Sequence, residues 1–162
     1  MGSGFRGNFG ATKGSKIMAS NKNERVIIAR PVTSATGKEK TIIEKAPLKI
    51  PKSAVYEVQK KPTYTQIKIK YKKGEYEYES RWHTPTPKSP KGIGNTYQIT
   101  REIKGKGYGK DSSKKVLDHM IRYPSGKVKW VNDDTYQNAL RNHKKGRATK
   151  KEEEIVIYGH IK

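Results

Sequence analysis

The sequence contains no cysteine and is poor in apolar residues. The missing thiols exclude disulfides, thiolate catalysis and every zinc site that uses cysteine. Hydrophobic residues make up 31% of the chain and aromatic residues 9%, so the core must rely on ten Tyr, two Trp and short Ile and Val runs. A chain of 162 residues with this composition predicts one domain with a thin core.

Acidic residues are also scarce. The chain has 36 Lys and Arg against 15 Asp and Glu, which gives a net charge of +21. A surface potential of this sign attracts polyanions, so nucleic acid is the leading predicted partner, and an acidic protein would match the same charge. The sequence shows no amphipathic basic helix and no apolar run of membrane-spanning length, which argues against a membrane partner.

The start of the chain has no apolar segment of the kind that a secretory signal contains, so we expect no signal peptide here and delivery that is encoded elsewhere. Residues 1–24 are rich in Gly, Ser, Asn and Lys without hydrophobic periodicity, which predicts a flexible basic arm. Residues 25–162 are then expected to form a single domain, best defined over residues 54–162.

Alternating apolar and polar residues predict an α+β fold with a mostly antiparallel sheet built from hairpins. The clearest hairpin lies in TYTQIKIKYKKGEYEYESRWH, where a KKGE turn joins two alternating runs. Parity places its aliphatic and aromatic side chains on one face, while Lys, Glu, Arg81 and His83 share the other. Further strands are expected at 25–30, 41–50, 54–58 and 95–103, and as a hairpin around Pro-Ser-Gly within 116–131.

One or two short helices are predicted at the carboxyl end of the domain. Asn132 or Asp133 can cap DTYQNALRNHKK. Thr149 and Glu152 have the spacing of a capping box for a second helix. His160 lies beside the chain end, where fraying is the usual state, so the sequence gives no reason to count it among the site residues.

The stretch RWHTPTP suggests a catalytic site. Parity puts Arg81 and His83 on one face at the strand end, and the two Thr-Pro pairs form a rigid exit that holds Thr84 and Thr86 near the imidazole. RNA brings its own 2′-hydroxyl nucleophile, so a histidine base and a cation for the phosphate suffice without a metal or other cofactor. The alternative is that His83 is an exposed polar residue and the prolines only end a strand.

The next stretch, KGIGNTYQITR, adds candidates for binding RNA. Its glycines permit close approach to a phosphate and its charges would stabilise one, although a glycine turn before a strand is the simpler interpretation. Alternation places the polar residues of the following strand on one face. The predicted substrate-binding residues are Lys88, Lys91, Thr96, Gln98 and Thr100, and Arg101 is a predicted phosphate stabiliser.

A metal-dependent alternative comes from the stretch DHMIRYPSGKVKWVNDDTYQNALRNHKKG, which resembles the DH…N…H order of HNH nucleases. That resemblance implies Asp118 and His143 as metal ligands, His119 as the base and Asn132 as an orienting amide. Two lysines follow His143 where a further ligand is needed, and their charge opposes metal capture. Without a metal, His119 is a second acid or base candidate.

The pattern of WHTPTP, GxGNTY, a strand pair, YxxALxxxKxGxATxxE and a terminal GH resembles the C-terminal toxin modules of bacterial polymorphic toxin systems, over roughly residues 75–162. Many such modules are small basic ribonucleases with a barnase-like or RelE-like fold, and an acidic immunity protein neutralises them. The resemblance implies a nuclease toxin that is secreted or delivered and acts in the target-cell cytoplasm, with His83 as its main catalytic residue. We expect a monomer.

These observations predict a metal-independent ribonuclease. His83 would act as acid or base, Arg81 and Arg101 would stabilise the phosphate, and Thr84 and Thr86 would orient it. The rival class is a non-catalytic basic nucleic-acid-binding protein of ribosomal or phage-structural type, which would combine the same charge with stacking on Tyr and Trp. An HNH-like metal-dependent nuclease is the third possibility.

Overall fold

A computed structural model describes residues 28–104 and 115–162, and the predicted arm at 1–24 lies outside these ranges. Seven strands form one sheet in which each strand pairs with the next along the chain. The strands are β1 Arg30–Pro31, β2 Val55–Lys60, β3 Thr65–Lys73, β4 Tyr76–His83, β5 Thr96–Lys104, β6 Lys115–Arg122 and β7 Val128–Asn132. The α-helices are α1 Gly37–Glu44, α2 Asp133–Lys144 and α3 Lys150–Gly159. The predicted α+β fold with an antiparallel sheet is confirmed.

The hairpin of β3 and β4 has the expected register. Tyr71 lies opposite Tyr78 on one face, and Lys70 lies opposite Glu79 on the other. The two tyrosine rings stack with centroids 5.2 Å apart. Gly74 makes the turn with a φ of 63°, in the left-handed region that glycine adopts at little cost. Side-chain alternation and turn chemistry therefore fix this hairpin together.

The segment before the hairpin differs from the prediction. Residues 41–50 do not form a strand, because Thr41 to Glu44 belong to α1 and residues 45–50 follow it without a strand. Ile42 and Ile43 are both buried by this helix. A pair of adjacent β-branched residues fits a short strand and a helix equally well, and here packing on the sheet decides for the helix. The predicted strand at 25–30 is also wrong over its described part, where only Arg30 pairs.

The sheet has two different faces. The core face is apolar, and its Ile69, Ile99 and Met120 share one buried cluster with Ile42 and Ile43 of α1. The opposite face, which we call the polar face, carries the Arg81 and His83 side chains of β4, and α2 and α3 cover part of it. Helices therefore lie on both faces of the sheet, α1 on the core face and α2 and α3 on the polar face.

The carboxyl end is ordered by caps and by a strand pairing. The Asn132 side chain accepts a hydrogen bond from the backbone N–H of Thr135 at 2.9 Å, and Thr149 forms the predicted capping box. Ile161 exchanges backbone hydrogen bonds of 2.6 and 2.8 Å with Tyr97, so the expectation that the chain end frays is wrong. Across the described ranges, the helices are all too short or too polar to cross a membrane.

Candidate active site

A cavity of about 390 Å³ opens on the polar face between the end of β4, the loop that follows it and α2. Six of the predicted site residues line it, and α2 adds Tyr136. These six are Arg81, His83, Thr86, Lys88, Gln98 and His119. Strand alternation explains the grouping, because Arg81 and His83 on β4 lie directly opposite Gln98 and Thr96 on β5.

His83 is held as a neutral imidazole. Its side chain is only 3% exposed, so the alternative that it is a surface residue is wrong. Its Nδ1 lies 3.1 Å from the carbonyl of Thr84, which can only accept, so Nδ1 donates and the Nε2 of the neutral ring carries no proton. Burial lowers the pKa of His83, and the nearby charge of Arg81 acts in the same direction, although hydrogen bonds with Thr84 and Gln98 oppose the change. A neutral Nε2 suits a general base.

Arg81 supplies a cation with unused hydrogen-bonding capacity. Its Nη2 lies 3.5 Å from Oε1 of Gln98, and its Nε lies 3.9 Å from a carboxylate oxygen of Glu79. That Nε is buried and has no hydrogen-bond partner among the described residues. Burial lowers the pKa of His83 and His119, and the charge of Arg81 acts in the same direction. For Tyr136 burial raises the pKa to about 12, and the charge of Arg81 opposes this. The guanidinium therefore lies amid these groups and can still bind an anion.

Gln98 connects the site residues. Its Nε2 donates to the hydroxyl of Tyr136 at 3.0 Å and to Nε2 of His160 at 3.1 Å. A guanidinium can only donate, so the amide oxygen must face Arg81 and the amide nitrogen must face the other two groups. The Nδ1 of His160 in turn donates to the carbonyl of Val156 at 2.7 Å. Burial lowers the pKa of His160, which agrees with a neutral ring that accepts from Gln98.

His119 forms a second buried pair. Its Nε2 lies 2.8 Å from Oδ1 of Asp133, and its ring stacks on Tyr136 with centroids 4.0 Å apart. Burial lowers the pKa of His119, while the hydrogen bond and the charge of Asp133 oppose that change. Burial acts to raise the pKa of Asp133, but its hydrogen bonds with His119 and Gln137 outweigh this and lower it. The carboxylate is therefore charged at neutral pH and can stabilise a protonated His119.

Four further predicted residues lie around the cavity instead of in it. The hydroxyl of Thr84 accepts from the backbone N–H of Thr65 at 2.9 Å, which fixes the end of the hairpin. Thr96 is fully buried and its hydroxyl has no hydrogen-bond partner among the described residues. Thr100 and Lys91 line two neighbouring cavities.

Arg101 lies on the other side of the sheet. It pairs with Asp118, with 3.6 Å between its Nε and Oδ2, and its guanidinium carbon is 4.0 Å from the centre of the Trp130 ring. Arg101 lies three residues after Gln98 in β5, so its side chain points to the opposite face of the sheet, which is the core face. The prediction that Arg101 shares a site with His83 is therefore wrong.

The HNH-like arrangement does not form. Asp118 and His119 are consecutive in β6 and point to opposite faces, because side chains alternate along a strand. His143 is held by Glu153 of α3, with 2.9 Å between Nδ1 and Oε2. Within residues 28–104 and 115–162, no three histidine or carboxylate side chains are grouped so that they could hold a metal ion. The predicted set of Asp118, His119 and His143 is therefore not a metal site.

Three residues of the site are missed by reasoning from the sequence, which expects Asp133 only as a possible helix cap and assigns no site role to Tyr136 or His160. Tyr136 falls on the buried stripe of α2, where a tyrosine is usually a core residue. His160 depends on the docking of the chain end on β5, which no local pattern indicates. A scan of protein-family models and searches of curated proteins and of solved structures give no match. Any functional assignment therefore depends on the geometry of the site.

Proposed function

We propose that this protein is a metal-independent ribonuclease that cleaves RNA by attack of the 2′-hydroxyl. One observation carries the proposal. Two buried imidazoles, His83 and His119, line the same cavity around the incompletely hydrogen-bonded guanidinium of Arg81. This combination offers a proton acceptor, a proton donor and a phosphate-binding cation without a metal.

The roles follow from the surroundings of each group. The unprotonated Nε2 of His83 takes the proton of the 2′-hydroxyl, and the oxygen attacks the adjacent phosphorus. Arg81 stabilises the extra negative charge on the phosphate. His119 gives a proton to the departing 5′-oxygen as its bond to phosphorus breaks. Burial lowers the pKa of this imidazole, so the charges of Asp133 and of the bound phosphate must stabilise its protonated form. The products are a 2′,3′-cyclic phosphate and a 5′-hydroxyl end.

The partners and setting belong to the same proposal. A net charge of +21 supports an RNA substrate and an acidic immunity protein that would cover the basic surface. The sequence resemblance to toxin modules supports delivery into the cytoplasm of a target cell and action there as a monomer. The rival function, binding of nucleic acid without catalysis, uses the same charge and differs only in the absence of cleavage.

The test is incubation of the protein with total RNA and, separately, with plasmid DNA, with and without EDTA. We expect RNA cleavage that survives EDTA and leaves cyclic-phosphate ends. His83→Ala and His119→Ala should each reduce cleavage by about 10² to 10⁴-fold, the usual contribution of one general acid or base, while RNA binding is retained. Lys129→Ala is the control, because Lys129 is exposed on β7 and lines neither the catalytic cavity nor the two cavities beside it.

Three outcomes would contradict the proposal. Cleavage of DNA only without EDTA would indicate metal-dependent chemistry. Binding without cleavage of either nucleic acid would support the non-catalytic function. Equal losses for Lys129→Ala and His83→Ala, with folding checked by circular dichroism, would remove the site assignment.

A further inference from the structure

A second cavity, of about 380 Å³, lies next to the catalytic one. Lys88 and Lys91 of the loop after β4 form one side, and Arg141 and Lys144 of α2 form the other. Lys88 lines both cavities, so the two adjoin each other. We call the surface formed by these four residues the cationic pocket.

The charge of the cationic pocket is not compensated. None of its lining residues in the described part of the chain carries a carboxylate. His143 also lines it, but the imidazole is hydrogen-bonded to Glu153. Arg141 donates to the side-chain oxygen of Asn138, which is neutral and leaves the guanidinium charge unbalanced. A pocket of this kind attracts anions.

The surface on the opposite side of the catalytic cavity is different. A cavity of about 830 Å³ there shares Arg81 and His119 with the catalytic cavity. Its lining mixes both signs of charge. The cations are Lys70, Lys72, Arg81 and Lys115, and the carboxylates are Glu77, Glu79, Glu102 and Asp133. Opposite charges of equal number give little net attraction for a phosphate chain.

The cationic pocket is also held in place before any ligand arrives. The hydroxyl of Ser89 accepts from the backbone N–H of Thr86 at 3.0 Å, and the hydroxyl of Thr86 accepts from the backbone N–H of Lys88 at 3.2 Å. Arg141 and Lys144 project from a helix that Asn142 and His143 tie to α3. Groups on such fixed elements lose less entropy when they bind a ligand.

From this asymmetry we infer that the cationic pocket binds phosphates of the substrate strand that neighbour the cleaved one, so that single-stranded RNA leaves the catalytic cavity along α2. The inference rests on the proposed function and specifies its substrate as a polynucleotide. A ligand that ends at the cleaved phosphate would leave the four cations unused.

The probe is a short, fully 2′-O-methylated single-stranded RNA, which cannot be cleaved by 2′-hydroxyl attack. Its binding is followed by fluorescence anisotropy over a series of salt concentrations. The double variant Arg141→Ala with Lys144→Ala should lower the slope of log K against log salt by about 0.7 for each phosphate that these two cations neutralise. The matched control, Lys70→Ala with Lys72→Ala, removes the same charge from the mixed surface and should leave the slope nearly unchanged.

Equal slopes for the two double variants, or an unchanged slope for the Arg141 and Lys144 pair, would overturn the inference. Thermal melting of both variants verifies that they are folded. Cleavage of total RNA by His83→Ala separates the binding inference from the catalytic proposal. Retained cleavage in that variant would refute the catalytic assignment alone, because the anisotropy slopes measure binding of a probe that no catalysis consumes.

Discussion

Gly159 lies in contact with the site and allows a sharp test of the packing there. A Cβ at this position would be 2.8 Å from Cε1 and 3.3 Å from the hydroxyl oxygen of Tyr136. Carbon atoms pack best at about 3.5 to 4.0 Å, so Gly159→Ala must displace the ring or α3 by about 1 Å. Tyr136 is only 2% exposed, stacks on His119 and accepts from Gln98, so it has little room to move.

The expected loss of stability is moderate. Overpacking of this kind costs about 1 to 3 kcal/mol. Replacing a helical glycine by alanine returns about 0.5 to 1 kcal/mol, since Gly159 does not have a positive φ that alanine would resist. We therefore expect a net loss of up to about 2.5 kcal/mol, which lowers the melting temperature by several degrees. Cleavage should fall as well, because Tyr136 supports Gln98 and stacks on His119.

Urea denaturation of a double-mutant cycle with Tyr136→Leu measures this contact directly. In the Tyr136→Leu background the ring is gone, and Gly159→Ala should be neutral or stabilising. If Gly159→Ala costs the same free energy of unfolding in both backgrounds, the contact with Tyr136 is not the cause and the reasoning fails.

Two further predictions follow from the site and its surroundings. The free energy of unfolding should fall when the pH drops below the unfolded histidine pKa of about 6.5. Burial lowers the pKa of His83, His119 and His160, so the unfolded chain takes up protons first. The loss is up to about 1.4 kcal/mol per pH unit for each buried ring. Denaturation at a series of pH values checks this, and a rise in stability over the same range would contradict it. Arg101→Gln should lower the free energy of unfolding by about 1 to 2 kcal/mol, because it removes the pairing with Asp118 and the cation–π interactions with Tyr76 and Trp130. It should nevertheless leave RNA cleavage within a few-fold of normal. A cleavage loss as large as that expected for His83→Ala would show that Arg101 does act in catalysis.

Local patterns predict most of the fold. The hairpin of β3 and β4 follows from strict alternation around Gly74. Helix α3 follows from the capping box of Thr149 and Glu152. In each case the local sequence preference agrees with the tertiary packing. Helix α1 is not predictable in this way. Its two adjacent isoleucines carry no periodicity, and only the sheet beneath them determines the conformation.

The site is predictable to the extent that strand parity controls it. Parity places Arg81 and His83 on one face and brings Gln98 opposite Arg81. The same parity puts Arg101 on the core face with Tyr97 and Ile99. Its positive charge alone is therefore not a sufficient reason to predict that it stabilises the phosphate. Contacts with α2 and with the chain end involve residues far apart in sequence, and no local pattern indicates them.

The two faces of the sheet contribute differently to stability and to the proposed chemistry. The core face excludes water with aliphatic and aromatic side chains from the sheet and α1. The polar face instead buries His83, Thr96 and His119, groups that disfavour burial unless they are hydrogen-bonded. Thr84 and Asp133 hydrogen-bond the two imidazoles, and Gln98, whose orientation is set by Arg81, bonds Tyr136 and His160 beside them. A change on the core face should therefore affect cleavage only through folding, whereas a change in this network must alter stability and catalysis together.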